Sequence, residues 1–404
     1  MPALPDHLTT GQRIQRIREA RGISRPALAG LLGRSPGWLK AVESGRLLPP
    51  RLPILVKIAE LLRVSDLAEL TGSASIPTSL FSTTEHPALS VVRRAIDAAS
   101  IGPAAGPVPD LDHTAAALAT GWAARDTRGD HRTALGELLP RLVSDVAAAA
   151  AHPDCPDRRR AQILYASVLN LVQMFAAYQG DGNLVWRVAE RSLATAQATG
   201  DLAAIGQSAW FLVQALRESG QWDSAQTLTE ETLRILDPAR SQSAPLAAAW
   251  AGMAWHAAIT HARAGESGSA WGWADRAEVV ARTLPATWWS SPTSASPTAV
   301  PIHAVTVAVE LRQVGTALAW ADRLDPAAIP ARPRRSRHLV EVARAYQLRG
   351  EHARTAELLA DAVAAAPETP RWNGETHQLV RALLEGPASV RPAARELAEI
   401  VGAA

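Results

Sequence analysis

Side chains that could catalyse a reaction are scattered along this sequence and do not form a recognisable set. Cys155, the single cysteine, stands between Asp154 and Pro156 in a segment typical of a loop. His256 and His261 are five residues apart, so a helix separates them by about 140° and they are unsuited to one metal ion. Since no His-Glu-x-x-His pattern and no Gly-rich phosphate loop occurs, we expect no enzyme, no catalytic residue, no metal site and no cofactor.

Tryptophan dominates the aromatic residues and clusters in one part of the chain. The sequence has 13 Trp against 3 Phe and 3 Tyr. An indole has a large apolar area and one N–H donor, so it suits both a packed core and the wall of a ligand pocket. Core packing is the simpler interpretation, and a pocket for a planar small molecule is the alternative. The cluster comprises Trp250, Trp255, Trp271, Trp273, Trp288 and Trp289.

Positive charge is concentrated in the first 72 residues. This segment has 11 Lys and Arg against 6 Asp and Glu, a net charge of +5, whereas the remainder has 30 against 33, a net charge of −3. Lys40 and Lys57 are the only lysines in the chain. A small basic segment on a mildly acidic remainder is typical of a protein in which that segment meets a polyanion.

The spacing of apolar residues predicts five helices in the basic segment, over 10–21, 24–32, 35–45, 52–62 and 66–70. Ser24 and Ser35 are suited to cap the second and third helices, and Pro36 fits the first turn of the third. The turn between these helices, at Gly33 and Arg34, is tight. A helix, a short Gly-containing turn and a second helix form the helix-turn-helix layout, whose second helix enters the DNA major groove.

The stretch 24–45 resembles the XRE (Cro/C1-type) helix-turn-helix family. The residues that match the family pattern in register are Ser24, Leu28, Ala29, Gly33, Ser35, Glu43 and Gly45. The resemblance implies a five-helix, lambda-repressor-like DNA-binding domain over residues 1–72, which we call the head. Arg25 stands where the family often has Gln, and Lys40 replaces a common Ser of the recognition helix.

By this resemblance, the start of the third helix presents the recognition surface and arginines around it hold DNA phosphates. Trp38 has a second interpretation, since it would also cover the core of the head, and we expect Glu43 to be a structural partner. The predicted DNA-binding residues are Arg25, Arg34, Ser35, Pro36, Gly37, Trp38, Lys40 and Arg46.

The rest of the chain reads as an array of helical pairs. Residues 73–86 are rich in Ser, Thr and Pro and predict a linker. From residue 87 to 404, which we call the body, Ala/Leu/Val-rich segments with helical spacing alternate with breaks. Glycines 180, 220, 265, 315 and 350 are predicted between consecutive helices. The segment 346–367 matches the tetratricopeptide repeat (TPR), so a TPR-like α-solenoid with a concave surface is expected.

The complete architecture resembles XRE regulators of high-GC bacteria that carry a TPR-like C-terminal domain. In that group a typical segment precedes the last repeats, and 291–310 resembles part of it, including His303, without its Phe-Gly and Asn. If this segment lines an effector pocket, the pocket would comprise Trp255, Trp288, Trp289 and His303.

These observations predict an all-α, cytoplasmic, sequence-specific transcriptional regulator that binds double-stranded operator DNA as a homodimer. The body would dimerise and sense a small-molecule or peptide effector. The alternative is a TPR interaction scaffold for a protein or peptide, with the head as an assembly module. No apolar run is long enough for a membrane span, and the N-terminus lacks the pattern of a secretory signal.

Overall fold

The computed structural model describes residues 8–62, 64, 67–72, 85–99, 106–179, 181–219 and 221–403. Over these ranges the regular secondary structure is helical and includes no β-strand, so the predicted all-α class is confirmed. None of the helices described is long and apolar enough to cross a membrane.

The head forms five helices, as the apolar spacing predicts. Thr9, Ser24 and Ser35 cap the first three helices through side-chain oxygens that accept backbone N–H groups at the helix starts. The helices are α1 (Thr10–Ala20), α2 (Arg25–Leu31), α3 (Pro36–Glu43), α4 (Leu52–Leu61) and α5 (Ala68–Thr71).

A single apolar core holds the head helices together. Ile14, Leu28, Leu39 and Ile58, each from a different helix, are fully buried in it. Gly11 allows α1 to approach α3 closely, because a Cβ atom at this position would overlap the backbone carbonyl of Val42. The close approach fixes α3 against α1 and leaves its first turn at the surface.

The predicted linker is largely outside the described residues, which resume at Glu85. His86 is already part of the body: its ring lies 5.5 Å from that of Phe175 and 6.3 Å from that of Trp372. Its backbone N–H donates to Gln179 Oε1 at 3.0 Å. The packed body therefore begins by residue 86.

The body contains α6 to α21. Their bounds are α6 (Leu89–Ala98), α7 (Leu111–Thr127), α8 (His131–Ala151), α9 (Arg158–Ala176), α10 (Gly182–Thr199), α11 (Leu202–Glu218), α12 (Trp222–Leu236), α13 (Ala244–Ala264), α14 (Ser267–Ala281), α15 (Val300–Glu310), α16 (Val314–Ala321), α17 (Arg332–Leu348), α18 (His352–Ala365), α19 (Glu368–Arg371), α20 (Gly374–Glu385) and α21 (Arg391–Val401).

From α7 to α18, each odd-numbered helix packs against the next helix as an antiparallel hairpin. Gly200, Gly265 and Gly350 adopt positive φ angles between helices, where the left-handed conformation favours glycine. The expectation for Gly315 is wrong, because it lies in the first turn of α16. Arg312, with φ 56°, makes that turn instead.

The odd-numbered helices α7, α9, α11, α13, α15 and α17 each contact the next one, and α17 contacts α7. We call these six the inner helices. Glu368 in α19 completes the closure, since its carboxylate accepts the Arg132 backbone N–H and the Thr133 hydroxyl, both at 2.6 Å. The solenoid of hairpins therefore closes into a ring.

Candidate nucleic-acid interface

The helix-turn-helix geometry arises from local sequence. Ser24 Oγ accepts the Ala27 N–H at 3.2 Å and Ser35 Oγ accepts the Trp38 N–H at 3.1 Å, so each hydroxyl defines a helix start. Between the two helices Gly33 takes a φ of +67°, which any side chain would strain. The turn therefore sets the angle at which α3 leaves α2.

The first turn of α3 forms an open surface with cationic side chains beside it. Ser35, Pro36 and Gly37 are exposed, as are Lys40 further along α3 and Arg46 after it. No ion pair engages Lys40 or Arg46 within the part of the chain that the structure describes. Backbone N–H groups at a helix N-terminus add partial positive charge, so this surface suits a polyanion.

Glu43 is a structural partner, as its position in α3 predicts. Its carboxylate is buried and accepts from Arg18 Nε at 2.5 Å and from Arg25 Nε at 2.7 Å. The hydrogen bond to Glu43 raises the pKa of Arg18 above its ordinary value, although burial opposes the shift. Arg25 is thus fixed through Nε, and a phosphate contact would have to use its remaining N–H groups.

Arg34 points toward the body instead of solvent. Its guanidinium carbon lies 6.0 Å from the ring centroid of Trp38 and 5.9 Å from that of Trp222. Its Nη1 lies 3.7 Å from Asp223 Oδ1. Burial lowers the pKa of Arg34, and Asp223 opposes this. In this arrangement the arginine is occupied by contacts with α12.

Trp38 is 7% exposed and belongs to the core of the head, which is the second of its two sequence interpretations. The remaining predicted contact residues of α3 are thus small or cationic.

Two further contacts dock the head on the body, and one charge repulsion opposes them. Arg312 Nη1 donates to the Gly45 carbonyl at 2.6 Å, and the Leu47 side chain lies against Gly265. Arg51, in front of α4, lies close enough to Arg263 for electrostatic repulsion to lower its pKa. Nothing in the sequence spacing indicates these contacts, because the partners are far apart along the chain.

Residues 33–37 also fit the pattern Gly-x-Ser-x-Gly, which occurs at the nucleophile elbow of hydrolases. That elbow is a turn from a strand into a helix. Here the segment joins two helices, and Ser35 Oγ accepts the Trp38 N–H as a cap. The pattern therefore serves the helix-turn-helix fold.

The structure brings together only part of the predicted effector pocket. The rings of Trp255 and His303 stack at 5.0 Å with an interplanar angle of 18°. Trp288 packs against the same apolar cluster as Trp255, whereas Trp289 packs against a separate cluster that contains Ile302. Of the two histidines considered first, His256 is buried and His261 Nδ1 lies 2.6 Å from Glu266.

Sequence reasoning missed a group of charged side chains on the inner helices α11, α13, α15 and α17 and at the start of α20. Apolar and small residues dominate α13 and α15, so the single Arg263 and Glu310 on them are a signal that could have revealed the group, whereas α17 is rich in arginine throughout. Its members are Arg217, Arg263, Glu310, Arg334, Arg337, Glu341, Arg344 and Glu375.

The chain carries a helix-turn-helix domain: residues 10–70 match a family described as a helix-turn-helix domain. Two solved structures are similar to the chain. The structure of Bacillus thuringiensis PlcR in complex with the peptide PapR7 and DNA has 12% identity and a TM-score of 0.29, covering 68% of this chain and 95% of that chain. Apo ComR from Streptococcus vestibularis, described as a competence regulator, has 15% identity and a TM-score of 0.22, covering 68% and 92%. A comparison with curated protein sequences finds no match.

Proposed function

We propose that this protein is a DNA-binding transcriptional regulator of the cytoplasm and not an enzyme. The observation that carries the proposal is the exposed first turn of α3, with Lys40 and Arg46 beside it. Ser35 caps this helix, and the buried ion pairs of Glu43 hold it against the rest of the helix-turn-helix domain. In such domains phosphate contacts supply affinity and the second helix supplies sequence choice. The body would dimerise and sense an effector, so that operator occupancy follows the effector.

The docked head supports regulation of this kind. Arg34 cannot contact a DNA phosphate while it is held between Trp222 and Asp223. An effector that binds the docked and released arrangements with different affinity would shift operator occupancy by that difference.

Fluorescence anisotropy tests the DNA-binding proposal. The full-length protein is titrated onto DNA from upstream of its own gene and onto a shuffled sequence, over a salt series. We expect the native fragment to bind about 10³-fold more tightly, at the low end of common specificity ratios. Lys40→Ala should reduce this ratio, and Lys57→Ala, which removes the other lysine, should not.

Two results would contradict the proposal. Equal, steeply salt-dependent binding to both fragments would indicate only a basic surface. Absence of binding would favour the interaction scaffold.

Sedimentation velocity on the same sample tests the dimer, since a monomer at the concentrations that saturate the operator would exclude binding as a homodimer.

A further inference from the structure

Most of the charged side chains on the inner helices neutralise one another. Three arginines and three glutamates from α13, α15, α17 and α20 form close ion pairs, with N–O distances between 2.6 and 3.1 Å. The pairs are Arg263 with Glu310, Arg344 with Glu341, and Arg337 with Glu375. An arginine on these helices without a carboxylate partner is therefore an exception.

Arg217, near the end of α11, is such an arginine. It is 8% exposed, and its Nε and Nη1 atoms are buried without a hydrogen-bond partner. Burial, followed by repulsion from Arg263 and Arg51, lowers its pKa to about 9. Glu218 is near, but its carboxylate accepts from Gln214 at 3.2 Å and forms no ion pair with Arg217. A buried guanidinium without an acceptor is unfavourable, and an anion would relieve the cost.

His256 on α13 is a second buried side chain without hydrogen-bond partners. Both of its ring nitrogens are buried without a hydrogen bond, and the ring packs against Trp210 at 4.6 Å. Burial and then the charge of Arg217 hold the pKa of His256 well below its ordinary value, so the ring is neutral and one of its nitrogens donates. Trp210 and Arg217 are seven residues apart on α11, which places them on one face of that helix.

A second arginine of this kind lies on α17. Arg334 Nη2 is 3.3 Å from His303 Nδ1, and Arg334 Nε is buried without a partner. Since a guanidinium only donates, His303 Nδ1 accepts. Arg217, His256, His303 and Arg334 thus lie on four consecutive inner helices, with indole rings packed against both histidines.

We propose that the interior of the ring binds an anionic ligand whose carboxylate or phosphate group is held by Arg217, with His256 and Trp210 beside it. A planar guanidinium binds either group through two parallel N–H donors. The proposal rests on the proposed function in one respect: the ligand is the effector of the regulator. Arg51 connects the site to the head: it follows Leu47, which packs against Gly265 of the body, so the docked head brings the charge of Arg51 toward Arg217 and Arg263, and an anion would offset this repulsion. The anion therefore favours the docked arrangement and lowers operator affinity.

Thermal unfolding of the full-length protein tests the site. The probes are sodium succinate and sodium phosphate at tens of millimolar, each compared with sodium chloride at equal ionic strength. We expect at least one probe to raise the melting temperature by about 2–4 °C. Response to succinate alone identifies a carboxylate ligand, and response to phosphate alone a phosphate ligand.

Arg217→Gln should abolish this rise. Because the substitution removes an uncompensated buried charge, its melting temperature without a probe should equal or exceed that of the wild type. Arg276→Gln is the matched control: Arg276 lies 4.5 Å from the Trp273 ring on the exposed face of α14, and its loss should leave the rise unchanged. If Arg217→Gln does not fold, Arg217→Lys decides, since it keeps the charge and should retain a reduced rise.

The anion site is wrong if neither probe stabilises the wild type more than chloride does. It is also wrong if Arg217→Gln or Arg217→Lys responds as strongly as the wild type. These outcomes are independent of the DNA experiment. Specific operator binding without an anion response would exclude the anion site and support the regulator. Anion binding without specific DNA binding would support the anion site and exclude the regulator.

Discussion

Glu43 connects three helices of the head through one buried carboxylate. It belongs to α3, and its two ion-pair partners, Arg18 and Arg25, belong to α1 and α2. The side chain of Arg18 is 6% exposed, so it has little access to water if the carboxylate is lost. The orientation of α3 against the other helices depends on this residue.

We expect Glu43→Ala to lower the free energy of unfolding of the head by about 3–5 kcal/mol, because removal of one partner leaves a buried charge uncompensated. Hydrogen exchange of the α1 to α3 amides measures the change, and operator affinity should fall with it. Glu19→Ala is the control, since Glu19 also contacts Arg18 but is exposed. Equal acceleration of exchange in both variants would show that Glu43 has no special role.

Residue roles that depend on neighbours in sequence could be predicted, and those that depend on distant neighbours could not. The caps Ser24 and Ser35 and the structural role of Glu43 follow from spacing within 22 residues of one motif. Arg34 has a suitable position for a phosphate contact, yet its environment is set by Trp222 and Asp223. Sequence alone does not indicate that α12 lies beside it.

At the level of elements, the docking of the head depends on the turn between α15 and α16. Arg312 occupies a left-handed conformation in this turn and donates to the Gly45 carbonyl, immediately after the recognition helix. Burial lowers the pKa of its guanidinium, and Arg344 adds to this through repulsion. The hydrogen bond ties the end of α3 to the body.

Arg312→Gln should release the head and raise operator affinity by about tenfold, the ratio expected for loss of one charge-assisted hydrogen bond. The substitution removes a cation, so a gain of affinity cannot come from a new phosphate contact. Anisotropy with the operator fragment measures it. Arg323→Gln, which removes an arginine over Trp320, is the control and should bind as the wild type does. Unchanged or weaker binding by Arg312→Gln would exclude an inhibitory docked head.

Element boundaries follow closely from sequence where a glycine ends a helix, as at Gly200, Gly265 and Gly350. The exception at Gly315 has a local cause. Arg312 adopts the left-handed conformation three residues earlier, so the next helix starts before the glycine. A non-glycine residue in this conformation is uncommon, and spacing rules do not anticipate it.

For the whole molecule, ring closure depends on Glu368. Its carboxylate accepts hydrogen bonds from the backbone N–H of Arg132 and the hydroxyl of Thr133 in the first turn of α8. The dipole of a helix favours negative charge at this end. The partners belong to the first and last parts of the body.

We expect Glu368→Ala to weaken closure by about 1.5–3 kcal/mol, the range for hydrogen bonds to a charged group. Hydrogen exchange should accelerate at the start of α8 and in α19 and α20 together, while α11 to α14 remain protected. Glu385→Ala, at an exposed position in α20, serves as the control. Faster exchange confined to α19 would contradict a role in closing the ring.

The helical repeats could be predicted from the sequence, but closure of the ring could not. Each hairpin follows from its own apolar spacing, and the small rotation between neighbours accumulates along the array. The sum of these rotations decides whether the last helices reach the first ones. The irregular segment 282–299 between α14 and α15 contributes to this sum.

A ring built from hairpins also imposes an order on folding. Contacts within each hairpin are local, whereas the contact of Glu368 with Arg132 spans 236 residues. Contacts of such sequence separation form slowly, because the entropy of closing the loop must be overcome first. During synthesis the early hairpins can therefore pack as they emerge, whereas the ring closes only after the C-terminal part of the chain has been made.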